Sequence, residues 1–237
     1  PGYTTEPNLR MFNTLIHHAR ERLILCSPYF VPDDSMLEAI TTACYRGVRV
    51  DLLVGEKADQ FMVQHAQSAY YQQLLEAGVH IWQFPAPYVL HSKFAIADPV
   101  AWSPSPSASV TSVSPAPSPS ASVTSSSPAP SLSASAISAS AISASSPSGA
   151  HKDPAHPTEA ELREIAIMGS SNMDMRSFSL NYENSLFILD GPLITDLCDL
   201  AAAYLSVSHE LTLEEWSRRS WVRRYIDNVL KLTSALQ

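Results

Sequence analysis

The amino-acid sequence predicts an α/β fold in which helices flank a mixed, largely parallel sheet. The first observation is order: over residues 6–84, segments with helical apolar spacing alternate with short buried runs. Parallel strands need crossover connections, and the intervening helices supply them. The second observation is size. Without a low-complexity tract at about residues 99–158, roughly 180 residues of ordinary globular composition remain, which suits one such domain.

Spacing and turn residues define the elements of the first half. Apolar residues at helical spacing predict a first helix within 6–23, ending where a buried strand at 23–30 begins. A second helix is predicted between an aspartate N-cap (Asp33 or Asp34) and a stop at Gly47. The next elements are a strand at 48–55, a helix at 60–78 closed by Gly78, and a strand at 79–84.

The second half predicts strands at 90–98, 164–172 and 181–189, followed by helices at 192–207 and about 212–232. The last predicted helix is rich in basic and aromatic residues: Arg218, Arg219, Arg223, Arg224, Lys231, Trp216, Trp221 and Tyr225. Such a helix suits contact with anionic lipid. A solvated basic face on a helix that packs on its own domain is an equal alternative.

A low-complexity tract separates the two halves. No charged residue occurs from Pro99 to Ala150, and a thirteen-residue unit at 105–117 is repeated at 118–130. The tract lacks the large apolar side chains that a core needs. We therefore predict a disordered or poorly packed insertion at 99–160, between a first part of the domain at 1–98 and a second at 161–237. A mucin-like stalk is the functional alternative.

Composition narrows the function classes. The net charge of −8 argues against a nucleic-acid partner, since a phosphate backbone selects basic surfaces. Three well-separated cysteines (Cys26, Cys44 and Cys198) indicate buried thiols in a reducing compartment. No apolar run approaches the ~20 residues that span a bilayer, and no signal peptide is evident. Because the chain starts at Pro1, we expect a piece of a longer protein, with any membrane anchor upstream.

Two pairs of polar residues carry the chemistry. His91 and Lys93 are two residues apart, as are Ser170 and Asn172, so on strands each pair shares one face. An antiparallel register that pairs His91 with Asn172 also pairs Lys93 with Ser170. It would gather an imidazole, an ammonium, a hydroxyl and an amide, which is a set suited to a phosphate.

These residues resemble the signature of the phospholipase D superfamily, H-x-K-x4-D-x6-G-S-x-N. The matching positions are His91, Lys93, Asp98, Gly169, Ser170 and Asn172, with seventy residues in place of the x6. Glu183 stands where the family has an acidic residue that hydrogen-bonds the catalytic histidine. The predicted register places Asp98 opposite Ile165, at the turn end of the hairpin. The adjacent letters H-K-D at 151–153 do not have this spacing, and we assign them to the linker.

Within the superfamily, the sequence is similar to the C-terminal half of bacterial cardiolipin synthases, notably at 169–183 and 208–216. The resemblance implies a phospholipase D-like α-β-α sandwich and a phosphatidyltransferase. It would join two phosphatidylglycerols into cardiolipin and glycerol through a phosphohistidine, without metal or cofactor. This chain would supply one of two half-sites, and its partner would be a missing N-terminal half or a second copy. A phospholipid substrate and the cytoplasmic face of the bacterial membrane are implied as well.

The resemblance also assigns roles. The C-terminal histidine of two-motif members is more often the acid/base, so His91 receives that role, with Glu183 fixing its tautomer. The other assignments are Lys93 as a catalytic residue, Ser170 and Asn172 as phosphate-binding residues, and Asp98 and Gly169 as structural residues. Tyr29 and Phe30 follow a strand end, where α/β sheets place ligands, and Arg176 follows the G-S-x-N segment. These three are candidate pocket residues, with packing or a salt bridge as the alternative.

Two other functions stay open at this point. One is a single-motif phosphodiesterase or nuclease that completes its site as a homodimer. The other is an inactive remnant, disrupted by the insertion, that serves as an interaction module.

Overall fold

The computed structural model describes residues 6–57, 61–100, 102, 164–220, 227 and 229, and both sides of the insertion belong to one compact unit. In chain order the elements are α1 (Pro7–His18), β1 (Arg22–Cys26), β2 (Phe30–Val31), α2 (Asp34–Tyr45), β3 (Arg49–Gly55), α3 (Phe61–Ala77), β4 (His80–Phe84), β5 (Phe94–Ala97), β6 (Ile165–Gly169), β7 (Met173–Asp174), α4 (Met175–Ser179), β8 (Ser185–Ile188), α5 (Pro192–Val207), β9 (His209–Leu211) and α6 (Leu213–Ser217).

Seven strands form one mixed sheet in the order β8-β6-β5-β1-β3-β4-β9. Strands β1, β3 and β4 are parallel, as the predicted helical crossovers require. The other four pairings described within this sheet are antiparallel. A mixed sheet is therefore confirmed, but "largely parallel" is wrong. The reason is that helical crossovers to parallel neighbours in this sheet end with β4. The later strands pair antiparallel with their neighbours; they are β5, β6, β8 and β9.

Alternate residues of the central strands enter two separate cores. On β1, Leu23 and Leu25 face one core, while Ile24 and Cys26 face the other. Helices α1, α2 and α3 contribute to the first core, and α5 contributes to the second. The sheet thus lies between two helical layers, which confirms the predicted α-β-α sandwich.

The predicted caps of the early helices are confirmed. The Asp33 carboxylate accepts a hydrogen bond from the Met36 N–H at the start of α2. Gly47 and Gly78 follow α2 and α3 with φ of 89° and 99°, a left-handed conformation that favours glycine.

The C-terminal helix prediction requires correction. A single helix at about 212–232 was expected, but α6 ends at Ser217 and residues 218–220 are not helical. Beyond them the structure describes only Asp227 and Val229, both helical, so most of the predicted basic helix lies outside the described residues. The insertion at 99–160, with the H-K-D letters at 151–153, also lies outside them except for residues 99, 100 and 102. Within the described residues, no helix combines the length and apolar composition needed to cross a membrane.

Candidate functional site

The β5–β6 hairpin brings the two motif segments together in a register one residue away from the prediction. The structure pairs Phe94 with Met168 and Ala97 with Ile165, so Gly169, not Ser170, lies opposite Lys93. The Gly169 N–H donates to the Lys93 carbonyl at 3.2 Å. The predicted pairings of Lys93 with Ser170, His91 with Asn172 and Asp98 with Ile165 are therefore wrong.

The register differs because β5 is shorter than the predicted strand. It begins at Phe94, and all four of its residues are buried. Burial of this apolar segment determines the register, since a one-residue slip would exchange its faces. His91 and Lys93 precede the ladder, so the alternation of a strand does not set their directions.

Ser170 connects the end of β6 to the segment before β8. Its N–H donates to the Asn184 carbonyl at 2.9 Å, and its Oγ accepts from the Asn184 N–H at 3.0 Å. The same hydroxyl donates its hydrogen to the Glu183 carboxylate. Ser170 thus has three hydrogen bonds that hold Glu183 beside the end of β6.

Gly169 is required by the close approach of this same segment. A Cβ at position 169 would lie 2.1 Å from the Asn184 carbonyl oxygen and 2.9 Å from the Ser185 Cα. Both contacts are with backbone, which cannot rotate away as a flexible side chain can. The glycine of the motif is therefore explained by packing of β6 against the start of β8.

We refer to Lys93, Ser170 and Glu183 as the cluster, and Lys93 is its cation. Its Nζ donates to the His91 carbonyl at 2.8 Å. Desolvation by burial lowers the pKa of the Lys93 amine, while the charges of the Glu183 and Asp174 carboxylates oppose that shift. The side chain is thus held in a partly desolvated position beside two carboxylates.

His91 is exposed and lies just before Lys93 on the chain. The hydrogen bond that the resemblance implies between His91 and Glu183 is absent between these two described residues. Instead, the Glu183 carboxylate accepts from the Ser170 hydroxyl and from the Asn181 amide, the latter at 3.3 Å. Glu183 therefore does not orient the His91 ring in this structure.

A cleft of about 340 Å³ lies beside the cluster. Strands β2 and β7 pair in parallel, with Phe30 opposite Met173 and Val31 opposite Asp174. This small second sheet, which the sequence did not predict, brings the β2 segment beside the Asn172 segment. The cleft is lined by Tyr29, Val31, Val63, Asn172, Asp174, Arg176, Ser177 and Asn181.

The candidate pocket residues divide between cleft and core. Tyr29 and Arg176 line the cleft. Phe30 does not, because its side chain is fully buried in the first core; its N–H donates to the Gln67 side chain at 2.9 Å. The assignment of Phe30 to the pocket is therefore wrong, since neighbouring residues of an extended segment point in opposite directions.

Polar groups in the cleft have unmet hydrogen-bonding capacity. The Asn172 Oδ1 is buried without a hydrogen-bond partner among the described residues. Such an atom needs a donor from a ligand or water.

Asp174 is a cleft residue that the sequence did not predict. It is buried in the cleft wall, and its carboxylate accepts a hydrogen bond from the Ser177 N–H at 2.6 Å as the N-cap of α4. Burial raises the Asp174 pKa, the hydrogen bond from the Ser177 N–H opposes this, and the Glu183 charge adds to the rise. The spacing of Asp174 two residues after Asn172 was the available signal.

Asp98 lies at the other end of the hairpin. Its φ is 49°, and its carboxylate accepts from the backbone N–H groups of Arg20, Glu21 and Arg22 at 2.8–3.0 Å. Its own N–H donates to the Arg22 carbonyl. These bonds attach the end of β5 to the segment that enters β1.

Comparison with known proteins gives a consistent result. A family model described as "Cardiolipin synthase, PLD-like domain" matches residues 12–203. Cardiolipin synthase A of Proteus mirabilis is 27% identical over 236 residues, which cover 100% of this chain and 35% of that protein. A cardiolipin synthase of Halalkalibacterium halodurans is 26% identical, with 100% of this chain and 34% of that protein covered. The chain thus spans about a third of the length of these curated relatives.

Solved structures show the same fold at low identity. Nuc, a phospholipase D family member from Salmonella typhimurium, aligns with a TM-score of 0.52 at 13% identity and covers 86% of this chain and 90% of its own. The phosphatidylserine synthase of Haemophilus influenzae Rd KW20 aligns with a TM-score of 0.55, also at 13% identity, over 99% of this chain and 44% of its own. The predicted phospholipase D-like fold is therefore confirmed.

Proposed function

Because the chain belongs to the family of cardiolipin synthase PLD-like domains, we propose that it provides one half of a phosphatidyl-transfer site. The reaction joins two phosphatidylglycerols into cardiolipin and releases glycerol. The observation that supports this most is the cluster of Lys93, Ser170 and Glu183 beside a polar cleft, formed although seventy residues separate the motif segments.

The state of Lys93 supports binding of an anion. Burial lowers the pKa of its amine even with Glu183 and Asp174 nearby, so the charged form is less well stabilised than in water. A phosphodiester oxygen close to Nζ would compensate this loss. Arg176 in the cleft would add a second cation, and the Asn172 amide would add a polar contact.

The proposed chemistry uses two imidazoles. One attacks phosphorus, so that an N–P bond forms as the P–O bond to the departing glycerol breaks. The other gives its proton to the glycerol oxygen and then takes the proton of the incoming alcohol, whose oxygen displaces the first imidazole. We assign the proton-transferring role to His91, whose exposed ring is open to substrate. The second imidazole belongs to the other half-site. Glu183 balances the charge of Lys93 and positions the Ser170 turn.

Lipid turnover by the full chain tests this proposal. The assay follows glycerol release and cardiolipin formation from phosphatidylglycerol vesicles. His91→Ala should lower the rate at least about 100-fold, the usual effect of losing a general acid/base. His209→Ala is the matched control, because its exposed ring pairs with Glu215 at the surface, and it should retain activity.

Three results would contradict the proposal. One is measurable lipid turnover that is equal in the His91→Ala and unmodified chains. Another is His91-dependent cleavage of DNA without lipid turnover, which would favour the nuclease. The third is inactivity of both forms together with activity after removal of the insertion, which would identify this chain as a disrupted remnant.

A further inference from the structure

The segment that carries two residues of the proposed reaction belongs to no strand. We define residues 91–93 as the H-S-K segment; they are neither helical nor extended in a ladder, and β5 begins only after them, at Phe94. The Glu183 carboxylate accepts its hydrogen bonds from Ser170 and Asn181, so it does not fix this segment. Because a site must hold its reacting groups to within a fraction of an ångström, other contacts have to do so.

Buried apolar residues anchor both ends of the H-S-K segment. Leu90 and Phe94 are buried, and both belong to the second core, to which α5 contributes. The chain therefore enters and leaves the segment on the α5 side of the sheet. Two anchors four residues apart restrict the path of the chain, but they do not by themselves set the directions of the three side chains between them.

Ser92, the middle residue of the segment, is attached to α5. Its Oγ lies 2.8 Å from the Tyr204 hydroxyl oxygen, in a hydrogen bond that either group can donate. The Ser92 carbonyl also accepts a weak hydrogen bond from the Cys26 thiol, 3.5 Å away at the end of β1. Both the side chain and the backbone of the middle residue are thus held by other elements.

Tyr204 is well placed to act as a fixed support. Its ring packs against the second core and meets the Phe84 ring edge-on, with the ring centroids 5.2 Å apart. α5 ends three residues later, at Val207, and the Ser208 hydroxyl donates to the Tyr204 carbonyl at 2.7 Å. A tyrosine side chain has few rotatable bonds, so packing of its ring also determines where its hydroxyl lies.

The bond to Tyr204 leaves the neighbours of Ser92 available to the site. With Ser92 turned towards α5, the imidazole of His91 is exposed, and the amine of Lys93 lies near the charges of Glu183 and Asp174. The contact with α5 thus takes the place of the strand ladder that is missing at these residues.

We propose that Tyr204 is a positioning residue for the reaction: its hydroxyl holds Ser92 against α5 and so sets the placement of His91 and Lys93. This inference rests on the proposed function, in which those two side chains act on the phosphodiester. The superfamily signature H-x-K leaves the position of Ser92 unspecified, so the contact is not part of the signature. A tyrosine that only supported the fold would affect stability and leave the H-S-K segment unchanged.

Steady-state lipid turnover by the full chain tests this role. Tyr204→Phe removes the hydroxyl and keeps the ring against Phe84, and Ser92→Ala removes the other partner of the bond. Each should lower kcat about tenfold with little change in KM, because misplaced reacting groups weaken the transition state more than substrate binding. The double variant should be no slower than either single one, since both changes remove the same bond.

Ser206→Ala is the matched control. The exposed Ser206 hydroxyl, in the same part of α5, donates to the Ala203 carbonyl at 2.7 Å. Its loss removes a hydrogen bond from the helix without removing the contact with Ser92, so kcat should be retained.

A second measurement does not depend on catalysis. Nuclear magnetic resonance relaxation gives the order parameters of the His91 and Lys93 amides, which should fall clearly below the rigid value of about 0.85 in Tyr204→Phe and stay unchanged in Ser206→Ala. Unchanged order at both amides in Tyr204→Phe overturns the proposal even if the urea midpoint falls, because Tyr204 would then support the fold alone.

Two kinetic results also overturn it. One is an unchanged kcat of Tyr204→Phe in a chain that turns over lipid. The other is an additive loss of kcat in the double variant, which would mean that the two hydroxyls act independently. Loss of amide order in a chain without lipid turnover would count against the proposed function and not against the positioning by Tyr204.

Discussion

Lys93 is a residue at which function and stability conflict. Its amine has a lowered pKa because burial removes water from the ammonium, and neighbouring negative charges compensate only in part. The folded protein without an anion therefore holds this cation less favourably than water does. A site prepared for a phosphate would have this property, because the substrate supplies the missing charge.

We predict that Lys93→Met stabilises the fold at neutral pH while it abolishes lipid turnover. Methionine approximates the uncharged lysine in size, so the substitution removes the desolvation cost and keeps most of the packing. Between the lowered folded-state pKa and 10.5, the unfolded chain holds the Lys93 proton more tightly than the folded chain. The free energy of unfolding of the unmodified chain therefore rises with pH through this window, while that of Lys93→Met has no such contribution. The stability advantage of Lys93→Met should narrow accordingly.

Urea unfolding of both chains at several pH values measures this effect. Lys57→Met, at an exposed loop position, is the matched control and should change stability by about 0.5 kcal/mol or less. A Lys93→Met chain that is less stable than the unmodified protein at neutral pH would contradict the interpretation of Lys93 as an under-compensated cation.

At the scale of elements, the approach of β6 to the start of β8 assembles the cluster. The Asn184 carbonyl packs where a Cβ of residue 169 would be, and this proximity allows the Ser170 hydrogen bonds to form. We predict that Gly169→Ala costs about 1–3 kcal/mol of stability, as overpacking does, and separates the two segments. Hydrogen exchange at the Ser170 amide should accelerate, because its bond to Asn184 is lost.

Gly47→Ala is the matched control for this change. A Cβ at Gly47 meets nothing within 4 Å, but its φ of 89° makes alanine unfavourable by roughly 1 kcal/mol. It should lower stability without any change in exchange at Ser170. Equal Ser170 exchange in the Gly169→Ala and unmodified chains would show that the close approach is not required.

The long elements of the fold follow from the sequence, whereas the motif register and the small second sheet do not. The periodicity of apolar residues predicts the helices and central strands, because long elements such as α2 and β3 have buried residues along their whole length. The predicted register of β5 against β6 differs from the observed one by one residue, because the prediction extends the strand into the polar motif whereas β5 begins only at Phe94. The two-residue strands β2 and β7 carry no periodic signal at all, so the cleft that they shape and the role of Asp174 could not be predicted.

The insertion is joined to the domain at the end of the hairpin opposite the cluster. The ends of the insertion approach each other there: the Val100 N–H donates to the Glu164 carboxylate at 3.0 Å, and the Arg22 guanidinium stacks on Trp102 at 4.2 Å from the ring centroid. Together with the three backbone bonds to Asp98, these contacts hold the end of β5 and the start of β6 in place. We therefore expect the geometry of the site to be independent of the length of the insertion.

We predict that replacing residues 103–163 with two glycines leaves His91-dependent lipid turnover intact and raises stability. The loop between β5 and β6 shortens from residues 98–164 to eight residues, about three doublings, and at about 0.6 kcal/mol each the expected gain is about 2 kcal/mol. Urea unfolding measures the gain, and the same deletion in an Asp98→Ala background provides the control. Without the Asp98 carboxylate the hairpin end loses its attachment to β1, so the shortened chain should lose stability there by roughly 2–4 kcal/mol. Loss of turnover on deletion alone would mean that the insertion contributes to the site, because the contacts at its two ends would then be insufficient to hold the cluster.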